Sequence, residues 1–182
     1  MKASPLNIPD VLLLEPKVFG DDRGFFLESF NRRVLNSLGI DFDFVQDNHS
    51  KSQQGVLRGL HFQEQHPQGK LIRVISGEIF DVAVDLRPQS KTFGQHTSVI
   101  LNAAQHQQLW IPPGFAHGFY TISPFAELLY KTTDYWYPEF ERSLLWNDPS
   151  LEIAWPALRS PLLSAKDASG VRLKDLAMRE HC

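Results

Sequence analysis

The sequence predicts an all-β fold, a sandwich or barrel of jelly-roll type with a few short helices. Three observations carry that expectation. Short runs rich in Val, Ile and Phe recur through the middle of the chain, turn residues bound each run, and one run alternates between two faces. Taken in chain order, a helix is expected from Asn31 to Leu38, where Val34, Leu35 and Leu38 share one side and Gly39 supplies the stop. A strand is expected over Val56–Gln63. Next comes "KLIRVISGEIFDVAVDLRP", in which two apolar runs meet at Ser76-Gly77-Glu78, read as a hairpin turn. In its second run Phe80, Val82, Val84 and Leu86 share one face and Ile79, Asp81, Ala83 and Asp85 the other, one face apolar and the other mixed. Thr97–Leu101, Gln107–Ile111, His117–Thr121 and Ala126–Thr132 complete the strands. A last helix is expected to start at Ser164, where "SAKD" reads as a capping box.

At 182 residues the chain suits a single domain, 1–182, with a tail from about 168 to 182 expected to be loosely attached. A hydrophobic share of 42% against 21% charged is that of a globular protein. A net charge of −3 with scattered basic residues gives no electrostatic footing for nucleic acid or an anionic membrane. No apolar run approaches the roughly 18 residues that span a bilayer, and "MKASPLNIPD" has no apolar stretch ahead of a cleavage site, so the expectation is a cytoplasmic protein. The one cysteine, Cys182, offers neither an internal disulfide nor a Cys-based zinc site.

Two histidines stand in suggestive places. His61 lies near the end of a predicted strand in "GVLRGLHFQ", and His117 follows the turn in "WIPPGFAHGFY". A histidine-bearing strand followed by "PPGFAH" resembles the two-part signature of the cupin superfamily, whose fold is a double-stranded β-helix of jelly-roll type. Metal-binding cupins carry His-x-His and Glu in the first half. Here Gln63 stands two places after His61, and the places four and five further on hold Pro67 and Gln68 rather than Glu. Two imidazoles without a carboxylate make a poor shell for a transition metal. A rearranged set of His61, His66 and His117, with Glu64 nearby, is the metal-dependent alternative.

The series "FGDDRGFFLESF", "FVQDNHSKSQQGVLRGLHFQ", "QGKLIRV", "GEIFDVAVDLR", "WIPPGFAHGF", "LLYKTTDYW" and "WNDPSLEIAWP" resembles, in order and from about Ile8 to Asp167, the dTDP-4-dehydrorhamnose 3,5-epimerase family, a metal-free group of cupins. That resemblance implies an isomerase without cofactor, acting at C3 and C5 of dTDP-4-dehydro-6-deoxyglucose in dTDP-rhamnose biosynthesis. It also implies a homodimer whose N-terminal strands exchange between sheets. It makes His61 the base, supported by Asp167, and Tyr130 the acid, with His117 and Lys70 stabilising an oxyanion. Arg23, Glu28, Gln46, Asn48, Arg58, Glu141 and Lys166 are assigned to the nucleotide sugar. Trp136 stands where the family commonly has a tyrosine that stacks on the base. Histidine and tyrosine, with ordinary pKa values near 6.5 and 10, suit taking and returning a carbon-bound proton.

Each residue also has a plain structural reading. His61 and His117 are also read as packed strand histidines, Asp167 as a helix cap and Arg23 as a solvated turn residue. Asp81 is expected to orient His117 if it points inward. Arg58 and His61, three apart, fall on opposite faces of a regular strand. Either Gly59 marks a bulge that turns both inward, or one of them points to a neighbouring subunit. Tyr130 and Trp136, six apart, share a side if their strand is uninterrupted. Three rivals remain: a relative inverting C3 alone, the metal-dependent cupin enzyme, and a non-catalytic sugar-nucleotide binding module.

Overall fold

A computed structural model gives the fold and describes residues 1–156 and 160–179; the C-terminal Cys182 lies outside the described residues. Strands β1 to β4 are Lys2–Pro5, Leu12–Glu15, Val18–Asp21 and Gly24–Leu27. Helix α1 is Arg32–Ser37, and β5 to β8 are Gln46–Gln53, Leu57–Gln63, Lys70–Ser76 and Glu78–Asp85. Strands β9 to β13 are His96–Asn102, Gln108–Ile111, Phe115–Thr121, Phe125–Thr132 and Glu141–Ser143, followed by α2 at Ala165–Ala168 and α3 at Leu173–Arg179.

Two sheets form the body, six strands in the order β1-β2-β10-β7-β12-β5 and five in the order β13-β6-β11-β8-β9. Between them pack Ile72, Val74, Leu109 and Leu128 from the first sheet and Ile79, Ala83, Leu101 and Phe115 from the second. This is the mostly β sandwich that the short apolar runs predict, and it is cupin-like, as the resemblance implies. Among the described residues strands β3 and β4 pair only with each other, as a hairpin outside both sheets.

The expected hairpin at Ser76-Gly77-Glu78 is absent: β7 belongs to the first sheet and β8 to the second, so the chain crosses between sheets at Gly77. A hairpin and a crossing both need two apolar runs and a glycine, and the sequence pattern is the same for either. Gly77 has φ +79°, and a Cβ there would sit 2.0 Å from the carbonyl oxygen of Phe125, so glycine is required by contact as well as by conformation. The alternation along β8 is as read. Its mixed face, with Ile79 and Ala83, looks between the sheets. Its apolar face, with Val82 and Val84, is covered by Leu144, Leu151, Ile153, Trp155, Leu173 and Leu176.

That cover corrects the expectation of a loose tail as far as Leu176. Leu173 N–H donates to the Asp148 carboxylate at 2.8 Å, and Val171 exchanges backbone hydrogen bonds with Ser143 and Leu145. Apolar area on β8 otherwise facing water is the driving force. Strand β5, "QDNHSKSQ", was not foreseen because it carries no aliphatic residue, yet it pairs with β12 along its whole length. Helix α1 follows its reading: the Asn31 side chain accepts from the N–H groups of Arg33 and Val34, Leu35 is buried, and Gly39 has φ +84°.

Candidate active site

A cavity of about 490 Å³ opens between the two sheets at one end. Strand β6 brings Arg58 and His61 to it, β11 brings His117, β7 Lys70, β12 Tyr130, and β5 Gln46 and Asn48. The loop after β12 supplies Trp136 and β13 supplies Glu141. His61 and His117 sit on neighbouring strands, directly opposite in register. Tyr130 belongs to the other sheet, so a histidine and a phenol look into the cavity from its two walls.

Arg58 and His61 share the cavity because β6 is bulged. His117 pairs with His61 and Phe119 with Arg58, so three steps along β6 oppose two along β11. Gly59 carries the bulge at φ +113°, and a Cβ there would lie 2.6 Å from the His117 carbonyl oxygen. Arg58 is steadied by donating to Ser52 Oγ at 2.9 Å and to the Lys51 carbonyl.

His61 Nε2 lies 2.6 Å from Asp167 Oδ1, across 106 residues of sequence. Asp167 is buried and also accepts from Ser164 Oγ at 2.7 Å and from Gly59 N–H at 3.1 Å. Burial works to raise its carboxyl, but the hydrogen bonds from His61 and Ser164 prevail and hold it at about 2. Both sequence readings of Asp167, as helix cap and as histidine partner, therefore hold together: Ser164 Oγ accepts its N–H at 3.1 Å.

His117 Nε2 is 3.0 Å from both oxygens of Asp81, as expected of an inward-pointing Asp81. Here the carboxylate is wholly buried, and burial pushes its pKa up against the opposing pull of His117 and Lys70. Burial brings Lys70 down to about 8, with Glu141 and Asp81 pulling the other way. Tyr130 is raised by burial, with the Arg58 charge opposing. Glu141 pairs with Lys166 Nζ at 2.5 Å and accepts from the Trp136 indole N–H at 3.0 Å. Burial works to raise its carboxyl, and these two partners bring it below the ordinary value.

Arg23 and Glu28 stand apart from the cavity, and two further expectations need correction. Arg23 pairs with Asp21 on the β3–β4 hairpin, and Glu28 accepts from Asn31 at 2.8 Å beside a different surface hollow; neither reaches the cavity of its own chain, because the hairpin stands outside the sandwich. Strand β12 ends at Thr132, so Tyr130 and Trp136 do not share one uninterrupted strand, and Trp136 reaches the cavity from a loop. His66 does not join His61 and His117: it pairs with Asp134 at 3.3 Å and stacks on Tyr137, and among the described residues no three His, Cys, Asp or Glu side chains converge as metal ligands. Ser50, Gln63, Gln68, Phe119 and Tyr135 also line the cavity and were not foreseen. The period-2 spacing of Gln46 and Asn48 points to Ser50, once β5 is known to be a strand.

The chain is thus a cupin-like sandwich with two histidine–aspartate pairs on one side of an open cavity and Tyr130 on the other. The family profile of dTDP-4-dehydrorhamnose 3,5-epimerase matches residues 5–175, and the chain belongs to that family. It is 58% identical over 176 residues to the dTDP-4-dehydrorhamnose 3,5-epimerase of Pseudomonas aeruginosa, covering 96% of this chain and 97% of that one. A crystal structure from Legionella pneumophila, a dTDP-6-deoxy-D-glucose-3,5-epimerase in complex with dTDP-4-keto-L-rhamnose, superposes with a TM-score of 0.93 at 51% identity, covering 95% of this chain and 93% of that one. A 3'-monoepimerase from Streptomyces bikiniensis, in complex with dTDP-quinovose, is more distant at 33% identity and a TM-score of 0.88, covering 97% of this chain and 90% of that one.

Proposed function

We propose that the protein inverts C3 and C5 of dTDP-4-dehydro-6-deoxyglucose, the step that leads towards dTDP-rhamnose. One observation carries the reading: His61, backed by Asp167, and Tyr130 face one cavity from opposite sheets. Inversion beside a ketone needs a base on one face of the sugar and an acid on the other. With Nε2 committed to ionised Asp167, the lone pair of His61 is on Nδ1, and it takes the carbon-bound proton. The electron pair moves to the 4-keto oxygen, where Lys70 and His117 stabilise it. Tyr130, kept neutral by burial, returns a proton from the other face. The imidazolium then loses its proton and the phenolate regains one, so no redox partner is consumed.

His117 Nε2 is engaged by Asp81, so donation to the oxyanion falls to Nδ1. Gln46, Asn48, Arg58, Trp136, Glu141 and Lys166 serve the nucleotide and diphosphate, with Arg58 suited to paired bonds to phosphate oxygens. The β3–β4 hairpin leaves Phe19, Phe25 and Phe26 exposed by 52%, 59% and 68%. An exposed apolar hairpin bearing Arg23 supports a homodimer in which Arg23 and Glu28 of each subunit serve the cavity of the other. A nucleotide-activated sugar as substrate fits a cytoplasmic setting. Greater identity to 3,5-epimerases than to the 3'-monoepimerase favours two inversions over one.

Incubation with the 4-keto sugar nucleotide in heavy water tests this reading. Deuterium is expected at both C3 and C5. Incorporation at C3 alone would establish the single inversion, and incorporation at neither carbon would sink the epimerase reading. Tyr130→Phe is expected to keep exchange while losing net inversion.

A further inference from the structure

Gln63 occupies the place where a metal-binding cupin carries its second histidine, and the proposed chemistry leaves it without a task. The side chain is only 6% exposed. Among the described residues its side-chain hydrogen bonds all go to main-chain atoms. Nε2 donates to the carbonyl of His66 at 2.7 Å and to that of Tyr135 at 3.2 Å, and Oε1 accepts the N–H of Tyr137 at 2.8 Å. Tyr135 and Tyr137 are the two neighbours of Trp136. The buried amide thus fastens the chain immediately before and immediately after the indole, in a loop beyond the end of β12.

We infer that Gln63 is a positioning residue for nucleotide recognition, holding Trp136 as a preformed platform for the base. The inference rests on the reading of Trp136 as that platform. Trp136 is itself held at two further points, its N–H on Gln46 Oε1 and its indole N–H on Glu141, both at 3.0 Å. Gln63 faces Glu141 in the β6–β13 ladder, so one end of β6 governs both the backbone around the indole and the strand that carries its side-chain partner. An amide does not titrate, and both of its N–H groups are engaged, so Gln63 has no direct part in proton transfer. Its contribution is preorganisation: a loop already ordered loses less entropy when the nucleotide binds.

A double-mutant cycle in steady-state kinetics on the full chain separates this role from a merely structural one. Trp136→Ala is expected to raise KM for the dTDP-sugar about 10- to 100-fold, the range of a lost base–aromatic stack. Gln63→Leu is expected to raise KM about tenfold with kcat within about twofold, as befits lost preorganisation. In the Trp136→Ala background Gln63→Leu adds less than about twofold, because its effect runs through the indole. Should Gln63→Leu fail to fold, Gln63→Glu keeps the acceptor for Tyr137 and loses the two donors; it is expected to weaken dTDP binding in calorimetry. Independent, multiplying effects of the two substitutions, a fall in kcat at constant KM, or unchanged dTDP binding in Gln63→Glu would each overturn the role of Gln63. An inert wild-type enzyme, or a Trp136→Ala variant with unaltered KM, would instead overturn the reading on which it rests.

Discussion

The cavity holds two histidine–aspartate pairs on adjacent strands, and they are built to opposite electrostatic ends. Asp167 collects hydrogen bonds from His61, Ser164 and the Gly59 N–H and is held at about 2. Asp81 sits wholly buried against His117, and burial pushes its carboxyl up. A carboxylate that is firmly ionised stabilises an imidazolium as it forms, which suits a base that starts with one nitrogen empty. Burial makes the Asp81 carboxyl reluctant to ionise beside the Lys70 charge, so His117 meets a different partner from that of His61. On the proposed mechanism one pair serves the base and the other the oxyanion donor, and the surroundings of the two carboxylates distinguish them.

The comparison can be broken most directly at the histidines. His61→Asn is expected to lower kcat about 10³- to 10⁴-fold and to abolish deuterium exchange at both carbons, as loss of a general base requires. Exchange that persists at wild-type rate would show that the base lies elsewhere. His117→Asn, which removes an oxyanion donor and leaves the base in place, should cost about 10²-fold while exchange remains measurable. Equal losses in the two variants would erase the distinction between the pairs.

Asp167→Asn is expected to follow with about 10²-fold in kcat, the low end of a general-base contribution, since an amide does not stabilise the imidazolium. The pH profile gives a smaller effect. Lys70, at about 8, must be charged to steady the oxyanion, so activity should fall as pH rises through 8. Asp81 helps to keep that charge, and Asp81→Asn should move the alkaline limb of kcat/KM to lower pH. An unmoved limb would detach Asp81 from the donor side of the site.

The smallest contrast lies in stability. The Asp167 carboxyl is at about 2 in the folded chain against an ordinary 3.8. It stabilises the fold above pH 4, and that contribution, about 2 kcal/mol, is lost as pH falls from 4 to 2. Urea unfolding at pH 7 and pH 2.5 should show a shallower acid loss in Asp167→Asn than in the wild type. Asp81 has the opposite sign: a carboxyl raised by burial costs stability above its unfolded pKa, so Asp81→Asn is not expected to destabilise the chain at pH 7.

Much of this was legible in the residues. Short apolar runs bounded by turn residues place β6 and β8 to β12 to within a residue or two, because such runs have few ways to be buried. Strand β5 was not legible: its polar face lines a cavity and its stability comes from pairing with β12, neither of which leaves an apolar stripe. The crossing at Gly77 looks like a hairpin in the sequence because a crossing between sheets and a turn within one place the same demands on the chain.

The sequence by itself determined the all-β class, the capped helices and, through ordered motifs, the family and its candidate acid and base. Only the tertiary structure decided which partners those groups keep. His61 and Asp167 lie 106 residues apart, and a single bulge at Gly59 turns Arg58 and His61 into one cavity. Burial and hydrogen bonding then set two like carboxylates to different ends of their range. Those are properties of surroundings assembled from distant segments, and no local pattern of residues encodes them.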